Sequence, residues 1–218
     1  MHKALLSLAA FGALAATPAA QAAMISYTAL TEGASSASLN DGLTATANVR
    51  TFEQKTIAGV TGAGISGGTV GGEIDATETL SFTGGTAGAF LNGFTIAFLY
   101  GTGNMGDAPN EVLLLDIAGS STMTILLSAD GTLSGTGSAG AVTILSPATD
   151  AGAGELMVSG LDLQFTSLVF KSGNAGGTAA SGDFAFVNLT YSVPEPASLA
   201  LLSAGLFGAG MIRRRQGR

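Results

Sequence analysis

The stretch LDLQFTSLVF at residues 161–170 decides the fold class of this chain. Its apolar residues at 161, 163 and 165 alternate with polar residues at 162, 164 and 166. A period of two places successive side chains on opposite faces of an extended chain, which is the pattern of a β-strand with one buried face. We therefore predict a single strand over residues 161–170.

Four further stretches, at residues 93–100, 112–117, 122–128 and 183–192, also carry strand patterns. Residues 112–117 are almost entirely apolar, which predicts a strand buried on both faces. In the other three stretches apolar residues alternate with their neighbours. Residues 93–100 and 122–128 each predict a strand with one apolar face, and residues 183–192 predict a strand with two. The alternating apolar residues are Phe94, Ile96, Phe98 and Tyr100 in the first stretch, Met123, Ile125 and Leu127 in the third, and Phe184 and Phe186 opposite Val187, Leu189 and Tyr191 in the last.

Glycine-containing segments separate these strands. Asp130-Gly131 predicts a short hairpin, Gly119-Ser120 and residues 173–177 predict turns, and the glycine-rich residues 58–72 predict a long hairpin or loop. Sequential strands joined by short turns pair antiparallel, and no stretch of the body has the periodicity and caps of a helix. The fold is therefore predicted to be all-β, an antiparallel β-sandwich of jelly-roll-like size that forms one domain over residues 23–192.

The composition of this body excludes several classes of function. The sequence contains no cysteine or tryptophan, and its one histidine is His2. Ser-His-Asp and Cys-His nucleophiles and the usual zinc sites therefore cannot be assembled within residues 23–192. Fourteen acidic residues stand against three basic ones (Arg50, Lys55 and Lys171), so the body has a net charge near −11. Such a surface repels phosphate backbones, which excludes nucleic acid as a partner.

Paired carboxyl groups remain as a route to catalysis, and Glu73, Asp75 and Glu78 form the best local cluster. A strand predicted over residues 72–82 would place Glu73 and Asp75 on its polar face and Glu78 on its apolar face. A buried Glu78 would have a raised pKa and become a functional candidate. The alternative, which we favour, is a bulge or edge position from which Glu78 reaches water. We predict no catalytic residue and no enzyme activity.

Two kinds of binding site are compatible with the remaining residues. Ca²⁺ takes six to eight oxygen ligands, and Asp107, Asn110 and Glu111 are the local candidates, although no EF-hand or RTX spacing appears. No other cofactor is expected. Sugar binding would need an exposed aromatic platform, and the residues available for one are Tyr27, Phe52, Phe90 and Tyr100.

The N-terminus has the three parts of a secretory signal peptide. A basic start at residues 1–3 precedes a Leu/Ala-rich run at residues 4–16, which predicts a short signal helix. Ala20-Gln21-Ala22 supplies an A-x-A cleavage site. We expect signal peptidase and the secretion machinery to remove residues 1–22, so that the mature chain begins near residue 23.

The C-terminus also has three parts. Val193-Pro194-Glu195-Pro196 should be extended, because proline fixes its own backbone and disfavours helix in the preceding residue. Residues 197–212 carry no charge; as a helix they would be roughly 24 Å long, somewhat short for a hydrocarbon core of about 30 Å. Arg213, Arg214 and Arg215 follow, and the positive-inside bias would keep them in the cytoplasm. A short transmembrane helix is therefore predicted.

This tail resembles the PEP-CTERM sorting signal of bacterial surface proteins over residues 193–218. The resemblance implies that an exosortase, a membrane transpeptidase, recognises the Pro-Glu-Pro segment and processes the tail. It further implies export in a Gram-negative bacterium, with transient anchoring through residues 197–212 and then a location at the cell surface or outside the cell.

Two classes of function agree with the whole sequence. The first is a non-catalytic surface or extracellular-matrix protein that acts in biofilm or adhesion alongside exopolysaccharide, a context that the resemblance implies. The second is a carbohydrate-binding module or a weak glycan hydrolase that uses paired carboxyl groups. We expect the two to be distinguished by whether the aromatic candidates cluster on an open face or are buried in the core.

Overall fold

The computed structural model describes residues 20–68, 70–75, 77–85, 88–101, 103–104, 111–119, 122–136, 140–174 and 182–194. Residues 21–193 form one compact unit. The predicted signal helix and C-terminal transmembrane helix fall outside the described residues. Within the described ranges, no helix is long and apolar enough to cross a membrane.

The described chain is a succession of β-strands with two short 3-10 turns, at Tyr27–Ala29 and Asn40–Gly42. The prediction of an all-β fold is confirmed. In chain order the strands are β1 (Ala20–Ser26), β2 (Ser36–Ser38), β3 (Leu43–Ala47), β4 (Phe52–Ile57), β5 (Val60–Ile65), β6 (Thr79–Gly84), β7 (Phe90–Ala97), β8 (Glu111–Ala118), β9 (Thr122–Ser128), β10 (Leu133–Gly135), β11 (Ala141–Ser146), β12 (Glu155–Gln164), β13 (Ser167–Asn174) and β14 (Ala185–Pro194).

The strands form two antiparallel sheets. The first has the order β11-β12-β7-β14-β5-β4, with β1 also paired to β14, and the second has the order β10-β9-β8-β13-β6-β3-β2. Aromatic side chains of the two sheets meet in a common core: the ring centroids of Phe82 and Phe186 are 5.1 Å apart, and those of Phe94 and Phe170 are 5.5 Å apart. Tilted and edge-to-face rings at this spacing attract each other beyond the gain from burial.

Residues 161–170 alternate as predicted but are not one strand. Leu161 and Phe165 are buried and Asp162 is exposed. However, β12 ends at Gln164 and β13 begins at Ser167, so the stretch passes from the first sheet to the second. The corner changes which positions face the core: Leu161 and Phe165 are buried before it, and Leu168 and Phe170 are buried after it.

Two further predictions about which side chains share a face are wrong, one because of a bulge and one because of a positive φ. In β14 the register shifts between Phe186 and Asn188, which adds a residue and turns the following side chains over. Phe186, Leu189 and Tyr191 are consequently all buried in the same core, not on opposite faces. At the end of β7, Phe98 has a positive φ of 68°. The predicted face of residues 93–100 therefore divides, and Phe98 and Tyr100 join a smaller apolar cluster instead of the main core.

Strand β8 is less completely buried than predicted. Leu113, Leu115 and Ile117 have no exposed surface, but Leu114 and Asp116 are half-buried. Asp116 pairs with Lys171 of the neighbouring strand β13. The outward face of β8 is thus in contact with solvent, as in a sheet that is covered on one side.

Three of the predicted turn segments lie between paired strands in the structure. Residues 58–72 contain a hairpin between β4 and β5, where Ala58 and Gly59 both have positive φ, as a two-residue type I′ turn requires. In the turn between β9 and β10, Thr132 N donates to Asp130 Oδ1. Strands β8 and β9 pair on either side of residues 119–121. Of the predicted turn at residues 173–177, the first two residues still belong to β13, and the others lie outside the description.

Candidate functional site: a carboxyl cleft beside Arg50

The acidic residues of the predicted strand 72–82 lie mostly in a loop. Strand β6 begins only at Thr79, because Gly72 has a positive φ of 80° and the amide of Ile74 donates to Phe184 O instead of to a neighbouring strand. We call residues 66–78 the acidic loop. Glu73, Asp75 and Glu78 are all buried in it, with exposures of 3%, 6% and 3%. The predicted solvent-facing positions of Glu73 and Asp75, and the favoured edge position of Glu78, are therefore wrong.

Glu73 is enclosed by residues from two distant parts of the chain. Lys55 Nζ of β4 lies 2.5 Å from Glu73 Oε1. Burial, followed by the negative charge of nearby Asp183, raises the pKa of Glu73 to about 8, although Lys55 opposes the change. A buried carboxyl next to another carboxyl holds a proton that an exposed one would lose. Burial thus favours the protonated form of Glu73, and the contact with Lys55 favours the charged form.

Asp75 and Glu78 form a second carboxyl pair. The amide of Val70 donates to Asp75 Oδ2 over 3.0 Å, and the amide of Asp75 donates to Glu78 Oε2 over 3.2 Å. Burial raises the pKa of Glu78 to about 7, and the charge of Asp75 adds to the increase. The pair thus combines a carboxyl that titrates near neutrality with a second carboxyl beside it.

This pair lines an open cleft of about 420 Å³. Its wall is completed by glycine backbone, by one cation and by small side chains, namely Val49, Arg50, Gly67, Gly68 and Thr77. A β-carbon on Gly68 would lie 2.6 Å from Asp75 Oδ2 and 2.8 Å from Glu78 Oε1. The two carboxyl groups therefore face the same point, and only a glycine leaves that point open.

Arg50 is held beside the cleft by the backbone. Its Nη1 donates to Ser66 O over 3.2 Å, and its own φ is 56°. The guanidinium lowers the pKa of Glu78 slightly, although burial prevails. A carboxyl pair and a guanidinium together offer donors and acceptors to a neutral polar ligand such as a sugar hydroxyl.

The aromatic candidates do not form an exposed platform. Phe52 and Tyr100 are buried, with exposures of 1% and 3%, and Tyr27 and Phe90 are half-buried. Tyr100 lies in the smaller apolar cluster, and its hydroxyl donates to Gly152 O over 3.3 Å. Large exposed apolar residues among the described ranges are Met24, Val49, Ile144 and Leu145, none of which is aromatic.

Glu111, the calcium candidate that the structure describes, faces inward. It is completely buried, and its two carboxyl oxygens accept hydrogen bonds from the amides of Tyr100 and Asp183. Asp107 and Asn110 lie outside the described residues. Among the residues that are described, no group of three or more His, Cys, Asp and Glu side chains could hold a metal ion. A calcium site stays a prediction.

Sequence reasoning missed the partners of the acidic loop. Asp183 lies more than a hundred residues from Glu73 along the chain, and no local pattern links the two. A signal did exist for the cations: an acidic body with three basic residues should use each of them near carboxyl groups. Lys55 pairs with Glu73, and Lys171 pairs with Asp116. The charge of Arg50 lowers the pKa of Glu78.

The predicted processing residues lie at the two ends of the described fold. Ala20 and Ala22 belong to β1, which pairs with β14. Val193 and Pro194 are the last residues of β14 and are extended, as predicted. The other sorting and topology residues, Glu195, Pro196, Arg213, Arg214 and Arg215, lie outside the description.

The comparison with protein families identifies this tail. The family model of the PEP-CTERM protein-sorting motif matches residues 192–215. No curated protein and no solved structure matches the chain. The match begins within β14, at residue 192. The chain therefore carries a PEP-CTERM protein-sorting motif, which marks it as an exported protein of the kind that exosortases sort toward the cell surface.

Proposed function

We propose that this chain is a non-catalytic surface or extracellular-matrix protein that acts in biofilm or adhesion alongside exopolysaccharide. The sorting motif at residues 192–215 is the observation that carries the proposal, because it directs the product to the outside of the cell. The body in front of it would then be the delivered product, a β-sandwich of residues 23–192.

Processing would take place at both ends. Signal peptidase would remove residues 1–22 after Ala22, and residues 197–212 would span the inner membrane transiently. Arg213, Arg214 and Arg215 would hold the end of the chain in the cytoplasm while an exosortase acts on the Pro-Glu-Pro segment. Release or lipid attachment in a Gram-negative envelope would follow.

The placement of the aromatic side chains supports a structural role over sugar recognition. Binding modules present aromatic rings on which sugar rings stack. Here Phe52 and Tyr100 stabilise the interior instead. Association with a hydrated polymer would rely on the many hydroxyl groups of the surface, for example those of Thr56, Thr122 and Thr143.

The test is the mass and location of the product in its native host, with and without the host's exosortase. We expect loss of the N-terminal and C-terminal segments, with the second loss dependent on the enzyme. Replacing Pro194, Glu195 and Pro196 together by alanine should retain the protein in the membrane, whereas Ser198→Ala, outside the Pro-Glu-Pro segment, should be released normally. Normal release of the triple variant would refute the sorting step.

The matrix role is tested separately from sorting. Deletion of the gene should reduce biofilm mass and retained polysaccharide, and the wild-type chain should restore both. The membrane-retained triple variant should restore neither. An unchanged biofilm in the deletion strain, with normal sorting of the wild type, would refute the matrix role alone.

A second candidate function rests on the cleft. Asp75 and Glu78 place a carboxyl that is partly protonated at neutral pH next to a second carboxyl, which is the combination that glycan hydrolysis uses. Arg50 would assist in binding the substrate.

Hydrolysis or binding would be measured on a panel of bacterial polysaccharides. If this function is right, Asp75→Asn and Glu78→Gln should each abolish turnover or weaken binding. Glu32→Gln, at an exposed carboxyl away from the cleft, should have no effect. The absence of both binding and released sugar in the wild type would refute this second function.

A further inference from the structure

The five outer strands of the two sheets differ in how well they are protected. Strand β1 pairs only with β14, and the expected removal of residues 1–22 would leave only Ala23 to Ser26 of it. An outer strand presents unpaired N–H and C=O groups on which another strand can add, and proteins usually guard such edges by shortness, charge or cover. Strands β2 and β10 are guarded by shortness, at three residues each. Strand β4 carries Glu53 and Lys55, and its first residue exchanges backbone hydrogen bonds with Gly33 and Ala34.

Strand β11 lacks these protections among the described residues. It has six residues, AVTILS, with no charge, no proline and no glycine. It pairs with β12 on one side and is the last strand of the first sheet on the other. Alternate residues of such a strand point their backbone groups outward. The register shifts once, between Ile144 and Ser146, and leaves residues 141–144 in regular pairing.

The side chains of β11 are also unusually apolar for their exposure. Ile144 is 55% exposed and Leu145 is 50% exposed, and they are two of the four large apolar residues that are exposed in the described structure. Val142 on the same strand is half-buried. Exposed apolar side chains next to a free strand edge favour association.

The net charge of the protein determines where two copies can approach each other. The body has a net charge near −11, so two copies repel each other wherever their carboxyl groups would come together. Residues 141–149 contain no acidic residue, and β11 is therefore an edge at which two copies can meet with little repulsion. A strand paired with its own copy in an antiparallel sense needs no complementary sequence, since the same strand supplies both sides of the interface: where residue i of one copy meets residue j, residue j of the first meets residue i.

We propose that β11 is a self-association edge through which two copies of this chain pair antiparallel and join their first sheets into one continuous sheet. The interface is isologous, with its two-fold axis at Ile144, and backbone hydrogen bonds form across it. Ile144 and Leu145 are covered in the pair. The proposal does not depend on how the chain is sorted, but a pairing edge on a surface protein gives it a means to connect neighbouring molecules.

The first experiment measures molar mass by sedimentation or light scattering over a range of concentrations, on the full chain as its host makes it. We expect a dimer that dissociates on dilution. Ile144→Lys and Leu145→Lys should weaken dimerisation by at least about tenfold, because each places like charges opposite each other across the axis. Met24→Lys is the matched control: Met24 is 62% exposed on β1, and the same substitution there should leave the dimer unchanged.

The second experiment locates the interface and uses the absence of native cysteine. A single cysteine at Ile144 should form a disulfide-linked dimer on mild oxidation, since the residue on the axis is opposite its own copy and has the Cα spacing that a disulfide needs. Thr56→Cys, at an exposed position on the opposite edge strand β4, should remain a monomer. A wild type that is monomeric at every concentration would overturn the proposal. So would cross-linking through Thr56→Cys alone, or mixed cross-links between the two edges without β11 homodimers.

Discussion

The aromatic rings between the two sheets and the carboxyl groups of the acidic loop are buried to nearly the same degree. Phe170 and Phe186 have no exposed surface, and Glu73 and Glu78 are each 3% exposed. The rings gain free energy simply by leaving water. The carboxyl groups lose hydration when they are buried, and hydrogen-bond partners and protonation offset that cost.

This difference shows how each region is specified. An apolar ring is satisfied by other apolar groups from either sheet, so its position depends on pattern alone. A buried carboxyl needs particular donors at particular distances, here Lys55 Nζ for Glu73 and backbone amides for the Asp75–Glu78 pair. The core should therefore tolerate exchange of one apolar group for another, whereas the loop should respond sharply to small changes in geometry and pH.

Removal of a central ring should give the largest effect. Phe170 contacts three other rings, with centroid distances of 5.9 Å to Phe82, 5.5 Å to Phe94 and 5.8 Å to Phe186. Phe170→Ala should lower the free energy of unfolding by about 3–5 kcal/mol, measured by urea denaturation. Phe90→Ala, at a half-buried ring, should cost clearly less. Equal losses in the two variants would mean that the ring contacts do not dominate the core.

A single methyl group should disturb the acidic loop next most strongly. A β-carbon on Gly64 would lie 2.3 to 2.4 Å from backbone atoms of Glu73, so the loop must shift away from β5. Gly64→Ala should cost about 1–3 kcal/mol in the free energy of unfolding. In Gly71→Ala the new methyl group meets the end of the flexible Glu53 side chain, 3.2 Å away, and stability should hardly change. If Gly64→Ala left the free energy of unfolding unchanged, the loop would not be held against β5.

The pH dependence of stability should come mainly from the buried carboxyl groups. The pKa of Glu73 is raised to about 8 and that of Glu78 to about 7; burial also raises the pKa of Glu155. In each case the folded protein binds the proton more tightly than the unfolded chain does. Their stabilisation is therefore full below the unfolded pKa near 4.5 and is lost as pH rises to about 8, at up to about 1.4 kcal/mol per pH unit for each group.

Urea denaturation at several pH values from 5 to 8.5 checks this slope. Glu78→Gln should flatten it, since the neutral amide no longer titrates, and the exposed Glu32→Gln should leave it as in the wild type. A stability that increases with pH across this window would contradict the assignment of protons to the loop.

Loss of one side-chain bridge should give the smallest effect. Asn48 Nδ2 donates to Thr77 O, and the amide of Thr79 donates to Asn48 Oδ1, both over 2.8 Å. These bonds fix the end of the acidic loop to β3 but lie in solvent. Asn48→Ala should cost about 1 kcal/mol and increase hydrogen exchange at Thr79. Thr77→Ala keeps the carbonyl that accepts from Asn48, so stability and hydrogen exchange at Thr79 should not change. If both variants lost the same stability, the side-chain bridge of Asn48 would not be the cause.

Prediction from sequence succeeded where the physics is local. Alternation over residues 122–128 and the turn signal at Asp130-Gly131 both describe the structure, because side-chain period and turn backbone are properties of a few consecutive residues. Bulges and corners defeated the same reasoning. Val187 adds one residue to β14, and the corner at residues 165–166 moves the chain between sheets, so the positions that face the core change phase at both places.

The candidate site was predictable only as a group of residue types. Glu73, Asp75 and Glu78 stood out for their density, but the strand expected to carry them is mainly a loop, and the faces assigned to Glu73 and Asp75 were wrong. Gly64 and Gly72 decide their true positions: the first lets Glu73 approach β5 closely, and the second turns the chain with a positive φ. No period in the sequence indicates such a close approach.

The sequence by itself determined that this protein is all-β, acidic and lacking cysteine, and that its C-terminal tail is a PEP-CTERM sorting motif. Each of these follows from composition, from a period of two or from a contiguous motif, which need no knowledge of distant residues. The tertiary structure alone decided which acids are buried, that Lys55 and Asp183 surround Glu73, and that β11 is an uncharged outer edge. Those facts depend on contacts between residues far apart in the chain, where burial and electrostatics act through space.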